Sequence, residues 1–175
     1  MKLKVHSYES LGTFDGPGLR LVVFLQGCPL RCAYCHNPDT LDFAGGYEVS
    51  AGEIFEKVKR YREYFGKDGG VTVSGGEPTA QADFVRELFS LCKSEGIHTA
   101  LDTSGCIWNE KIEKLLEVTD LCLLDYKMCN AEDYEKYTRC KKESVDFFLS
   151  ELQKRSIDTW LRQVIVKGIN DSADS

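Results

Sequence analysis

The stretch LRLVVFLQGCPLRCAYCHN, residues 19–37, sets both the fold and the chemistry. Leu19–Leu25 is short, apolar and β-branched, the pattern of a buried strand. It runs directly into Gln26-Gly27 and then into three cysteines, Cys28, Cys32 and Cys35. Four further runs of the same kind follow at Val71–Val73, Ile97–Leu101, Asp120–Leu124 and Thr159–Val166. Amphipathic segments separate them, and strand alternating with helix predicts βαβ units around a parallel sheet.

The helices carry their own punctuation. Ser50 and Glu53 form a capping-box pattern, after which Ile54, Val58 and Tyr61 recur at helical spacing. A second helix holds Phe84, Leu88 and Cys92 on one face and stops at Gly96. A third starts near Asn109 with Ile112, Leu115 and Leu116 inward, and a short piece is expected at Ala131–Tyr137. A fourth long helix follows Ser144, with Val145, Phe148, Leu149 and Leu152 on one stripe.

Each strand hands over to polar or glycine-rich residues. These are Gln26-Gly27-Cys28, Ser74-Gly75-Gly76-Glu77, Asp102-Thr103-Ser104-Gly105 and Asp125-Tyr126-Lys127, while the fifth run contains Arg162 and ends at Lys167-Gly168. The carboxyl edge of a parallel α/β sheet is where ligands bind. One ligand touches all five segments only if the strands curve around it, which favours a barrel over an open doubly wound sheet.

The chain has 175 residues, 42% of them hydrophobic, which suits one packed domain over 1–175. Its net charge of −6 argues against nucleic acid as a partner. The first ten residues, MKLKVHSYES, hold no signal-peptide core, and LVVFL is far short of the ~20 residues that cross a membrane. No membrane association and a cytoplasmic, reducing location are expected.

Only three of the eight cysteines cluster; the other five read as small buried side chains. Thiolates suit zinc, copper(I) or iron–sulfur clusters. A structural zinc wants four ligands, and His36, adjoining Cys35, reaches the same ion only with strain. A cubane cluster bound by three cysteines keeps one iron open. On spacing alone, a cluster, a zinc site and free redox thiols all remain open.

C-x3-C-x-aromatic-C, with Tyr34 as the aromatic, resembles the signature of radical S-adenosylmethionine (SAM) enzymes. The resemblance implies a 4Fe–4S cluster on Cys28, Cys32 and Cys35, whose fourth iron is chelated by the methionine moiety of SAM. HSYESLGTFDGPGLR (6–20), GCPLRCAYCHNPDT, VSGGEP, GIHTALDTSG and LLDYK together resemble pyruvate formate-lyase activating enzymes. Related activators of other glycyl-radical enzymes carry a cysteine-rich insert, and no cysteine lies between Cys35 and Gly75. The implied fold is a partial (β/α) barrel, here with five strands and without the family's usual C-terminal strand, helices and further histidine.

The resemblance also distributes roles. Tyr34, Cys35 and His36 would line the adenosine side, and Gly75-Gly76-Glu77 would meet the SAM amino group. Read alone, that segment is an ordinary strand-to-helix turn, with Pro78 starting the next helix. Asp102, Thr103 and Asp125, with the Leu123 carbonyl, would hold a monovalent cation beside the SAM carboxylate; otherwise they serve as turn residues. Tyr126 falls in the same cofactor-binding segment, and Lys127 would pair with a carboxylate of the cofactor. Asp15, within a strong turn signal, and Arg162 would meet the substrate; His6 and His98 read as structural. The implied partners are pyruvate formate-lyase and a reduced flavodoxin or ferredoxin, with the chain a monomer. Two readings compete: an activator of another glycyl-radical enzyme, and a zinc-stabilised binding module.

Overall fold

The structure, a computed structural model, describes residues 2–172. The expected domain boundaries at 1 and 173–175 therefore lie outside the described residues. Seven strands form one sheet: β1 (Lys2–Gly12), β2 (Arg20–Leu25), β3 (Tyr47–Ser50), β4 (Gly70–Gly75), β5 (His98–Thr103), β6 (Leu121–Asp125) and β7 (Asp158–Arg162). Their order is β3-β1-β2-β4-β5-β6-β7. The five strands from β2 to β7 in that order are mutually parallel. They match the five runs expected, and the sheet stays open between β3 and β7.

β1 pairs antiparallel with β2 and with β3, so two strands extend the parallel set at one edge. A half-buried antiparallel strand alternates apolar with polar residues, and KLKVHSYESLG is too rich in charge to stand out as an apolar run. The last strand is also shorter than expected. It ends at Arg162, and the chain beyond is bound by Asn170, whose Oδ1 accepts from Val166 N (2.6 Å) and whose Nδ2 donates to Val164 O (2.9 Å).

The helices α1 (Ala51–Arg60), α2 (Arg62–Phe65), α3 (Ala82–Ser94), α4 (Glu110–Leu116), α5 (Ala131–Thr138) and α6 (Lys142–Lys154) fill the crossovers. Ser50 and Glu53 complete the capping box of α1, and Gly96 lies just past α3 in the left-handed region (φ 67°). Residues alternate across the sheet. Leu21, Val23, Leu25, Val71, Val73, Leu101, Cys122 and Leu124 join the main core with Ile54, Leu88, Leu115 and Phe148 from the helices. On the opposite, inner face Ala100, Leu121 and Leu123 form a separate small cluster. That inner face is crossed at its upper rungs by Ser74, Asp102, Asp125 and Arg162, the side chains that build the site.

Among the described residues no helix is long and apolar enough to cross a membrane.

Candidate active site

The cysteine loop is fixed from both sides. Gly27 N donates to Thr40 O (2.7 Å), and Cys28 N donates to Leu41 O (3.3 Å). Buried Gln26 adds bonds from Nε2 to Asp39 O (2.9 Å) and Asp42 O (2.7 Å). Further on, Arg31 N donates to Thr138 O (3.0 Å) and Ala33 N to Tyr137 O (2.8 Å), anchoring the loop on the end of α5. The Arg31 guanidinium closes it internally onto Cys28 O and Leu30 O.

All three cysteines open into one cavity of about 460 Å³. Its other walls include Asp15, Tyr34, His36, Ser74–Glu77, Asp102–Ser104, Asp125, Lys127 and Arg162. Cys28 is buried, while Cys32 and Cys35 are half-buried. Burial pushes the Cys28 thiol up to about 12 and raises that of Cys32, which Lys127 partly offsets. A metal must therefore displace protons here, supplying the charge that stabilises the thiolates.

Beside the thiols sits an ionic cluster. The Arg162 guanidinium is ion-paired with Asp102 and reaches Asp125 Oδ1 from Nη2 (3.0 Å) and Nε (3.2 Å). Lys127 Nζ binds Asp125 Oδ2 at 3.1 Å, and Ser74 Oγ donates to Asp102 Oδ2 at 2.7 Å. Burial raises the Asp102 carboxyl, while Arg162 pulls it back down. Asp125 holds Lys127 above the ordinary ammonium range despite the opposing effect of burial.

The proposed cation-binding trio is split. Asp102 and Asp125 converge, but Thr103 turns away: its Oγ1 donates to Glu77 Oε1 at 2.6 Å. Glu77, 1% exposed, also accepts from Thr79 N (3.1 Å), Thr79 Oγ1 (2.6 Å), Ser104 N (3.0 Å) and Ser104 Oγ. Its carboxylate thus ties the end of β4 to the end of β5. Gly76 serves a close backbone approach, since a Cβ there would lie 2.2 Å from Gly27 O. Tyr126 leaves the cavity wall: its hydroxyl donates to Asp146, and its ring stacks edge-on to Tyr134 at 6.1 Å. Tyr34 and exposed His36 remain on the rim, and the Tyr34 hydroxyl makes only a long contact to Lys127 O (3.4 Å). Ser74 and Ser104 entered the sequence reading only as parts of strand-end segments, and Thr79 not at all, because isolated hydroxyls carry no spacing signal.

The donor set fits a thiolate-bound iron–sulfur cluster with a polar ligand beside it. Three soft sulfur donors line a cavity in the usual size range for small-molecule sites. Among the described residues no three His, Cys, Asp or Glu side chains converge on a single ion position, whereas a structural zinc needs four ligands at ~2.0–2.3 Å.

The fold and this loop define a class, and residues 22–174 match the Radical SAM superfamily. The chain is 46% identical over 173 residues to the pyruvate formate-lyase-activating enzyme of Clostridium pasteurianum, covering 98% of this chain and 72% of that one. It is 45% identical over 175 residues to pyruvate formate-lyase 1-activating enzyme of Escherichia coli K12, covering 98% and 71%. The chain therefore belongs to the radical SAM superfamily and, within it, to the pyruvate formate-lyase-activating enzymes. The crystal structure of Streptococcus suis SuiB bound to precursor peptide SuiA shares the fold, with TM-score 0.72 and 16% identity over 86% of this chain and 34% of that one. Membership implies a 4Fe–4S cluster and SAM, for which the cavity has both the donors and the room.

Proposed function

We propose that this chain, acting as one domain over 1–175, activates pyruvate formate-lyase by forming a glycyl radical on it. The observation that carries the reading is the meeting of Cys28, Cys32 and Cys35 with Asp102, Asp125, Lys127 and Arg162 in one cavity. Cluster and SAM, when bound and given one electron by a reduced flavodoxin or ferredoxin, supply a 5′-deoxyadenosyl radical able to take a hydrogen atom from a glycine Cα. The chain itself binds, orients and shields. Cys28, Cys32 and Cys35 hold the cluster, and Tyr34 and His36 border the nucleoside side. The backbone at Gly75-Gly76 and the Lys127 ammonium receive the amino acid portion of SAM, with Glu77 and Thr103 bracing the wall behind. Tyr126 belongs to that bracing rather than to direct contact.

Asp102 and Asp125 provide the negative charge for a monovalent cation. With Arg162 lying against both carboxylates, cation binding requires the guanidinium to share or vacate them. Asp15 and Arg162, both lining the cavity, meet the incoming glycine loop. No general base is needed, because hydrogen-atom transfer moves proton and electron together. We place the protein in the cytoplasm as a monomer, with no nucleic acid or membrane partner.

The test is anaerobic reconstitution with iron and sulfide, reduction, and addition of SAM with pyruvate formate-lyase. The expected result is 5′-deoxyadenosine together with a glycyl radical seen by electron paramagnetic resonance, both lost in the Cys28/Cys32/Cys35 triple alanine variant. Production that survives the triple substitution overturns the reading. 5′-Deoxyadenosine with a radical only on a different glycyl-radical enzyme reassigns the partner. Colourless protein with one bound zinc and no iron replaces the enzyme by a binding module.

A further inference from the structure

Among the described residues Arg20 is one of the largest fully buried side chains, at 0% exposure, and none of the chemistry above uses it. Its guanidinium donates to a hydroxyl, an imidazole and backbone carbonyls. Nε donates to Thr72 Oγ1 (2.6 Å), Nη1 to Pro17 O (2.9 Å), and Nη2 to Val71 O (2.8 Å) and His98 Nδ1 (3.1 Å). Burying a guanidinium is costly unless its donors are used. Here two of those bonds serve the loop that carries Asp15. Thr72 Oγ1, while accepting from Arg20, donates to Asp15 O at 2.7 Å. Pro17 O is held directly, and Gly16 (φ +123°) lies so close that a Cβ would sit 3.1 Å from Arg20 Cδ and Nε.

Elsewhere the loop is held through backbone, by the Gly12–Arg20 pairing of β1 with β2 and by Gly18 against the backbone of Asp68 and Gly69. Thr13 and Gly18 are exposed and Phe14 is 89% exposed, so its side chains add little packing. Yet Asp15 lines the cavity. We propose that Arg20 and Thr72 are positioning residues: a buried guanidinium–hydroxyl relay sets the backbone of residues 15–17, and thereby places Asp15 for the glycine-bearing segment of the substrate. This rests on the proposed function. Fixing a contact group on a rigid strand rather than leaving it to a free loop is what orientation requires. Thr72 is central in the sheet, on β4 between β2 and β5.

Thr72→Val keeps the shape and removes the hydroxyl; Thr72→Ser restores it. In the reconstituted enzyme, Thr72→Val is expected to raise KM for a glycine-loop peptide about ten- to a hundredfold, the usual scale for misplacement by around an ångström. Cleavage of SAM without peptide should stay within about twofold, because Thr72 does not line the cavity. Thr72→Ser should recover KM. In an Asp15→Ala background, Thr72→Val should add nothing, since it acts through Asp15. Independently of activity, amide hydrogen exchange at residues 13–18 should speed up in Thr72→Val and be normal in Thr72→Ser. Arg20→Lys, which keeps the charge but loses the fork, should show the same faster exchange if Thr72→Val folds poorly.

Unchanged exchange at 13–18, or effects of Thr72→Val and Asp15→Ala that multiply, overturns the relay. Absence of 5′-deoxyadenosine from the wild-type enzyme overturns the proposed function instead, and the exchange comparison still decides whether Arg20 and Thr72 hold the loop.

Discussion

Glu77→Gln separates a structural tie from a cofactor contact. The Glu77 carboxylate is buried and accepts five donated bonds, three on Oε1 from Thr79 N, Thr79 Oγ1 and Thr103 Oγ1, and two on Oε2 from Ser104 N and Ser104 Oγ. A glutamine keeps one acceptor oxygen, best placed at the three-donor end. Its amide nitrogen then faces Ser104: the hydroxyl can turn and accept, but the backbone N–H is left without a partner. A buried donor stranded in this way costs ~1–3 kcal/mol, and the surviving bonds lose the extra strength of a charged acceptor. The sum is about 2–4 kcal/mol, equivalent to roughly 5–15 °C in melting temperature for a chain of this size. The assay is anaerobic urea unfolding of the reconstituted protein followed by circular dichroism, without SAM. The midpoint should fall with the slope unchanged. If the unfolding free energy stays within ~0.5 kcal/mol of wild type while SAM affinity drops, Glu77 is a ligand contact and the tie between β4 and β5 carries little weight.

Gly76→Ala places a methyl group 2.2 Å from Gly27 O, so β2 and β4 must part next to the cysteine loop. Cluster content after reconstitution should drop at least severalfold, and full loading would show that the loop yields easily. His98 accepts from Arg20 through Nδ1, and burial, then Arg20, lower its pKa against the pull of Asp120 and Asp158. The unfolded imidazole therefore binds a proton that the folded one resists, and stability is lost as pH falls below ~6.5. His98→Gln should flatten the difference between unfolding midpoints at pH 7.5 and pH 5.5, and an unchanged difference refutes this. Arg162→Met leaves Asp102 and Asp125 facing each other without a guanidinium; allowing for the partial exposure of Arg162, about 1–3 kcal/mol should be lost. Asp102 would then keep its proton to higher pH, so the loss should grow between pH 5 and pH 8, and a loss independent of pH would contradict it.

The parallel strands were legible because burial on both faces makes them apolar runs, as in RLVVFL of β2. β1 was not, because alternation with Lys and Glu looks like surface. The overlong reading of β7 has the opposite cause: Val164 and Ile165 favour strands by composition but lie past Arg162 in an exposed segment. That three cysteines share one loop was legible from spacing, whereas what they bind came from the family resemblance. Which strand-end residue enters the cavity was not legible, since it depends on the phase of a two-residue repeat. Asp102 and Thr103 are neighbours in sequence and point to opposite faces, and so do Asp125 and Tyr126. Arg20 stayed unread because an arginine at the start of a strand ordinarily reads as solvated.

That phase also explains how an open sheet makes a closed site. Register sets Asp102 of β5 opposite Leu123 of β6, and Asp125 of β6 opposite Arg162 of β7. Asp125 thus stands one inward-facing rung above Asp102, the stagger expected of tilted barrel strands. β5 and β7 flank β6, so in a flat sheet their backbones are about 10 Å apart, a gap that an arginine can span and an aspartate cannot. Arg162 spans it, ion-pairing with both carboxylates, while Ser74 extends the chain to β4. Four parallel strands are thereby linked through side chains on their concave side, without any hydrogen-bonded closure of the sheet. The charges proposed to meet the cofactor thus also tie together the strands whose ends line one cavity with the three thiols. A substitution at Arg162 should therefore disturb cavity shape and cavity charge together, whereas one at Lys127, whose ammonium pairs with Asp125 and bridges no second strand among the described residues, should disturb charge alone.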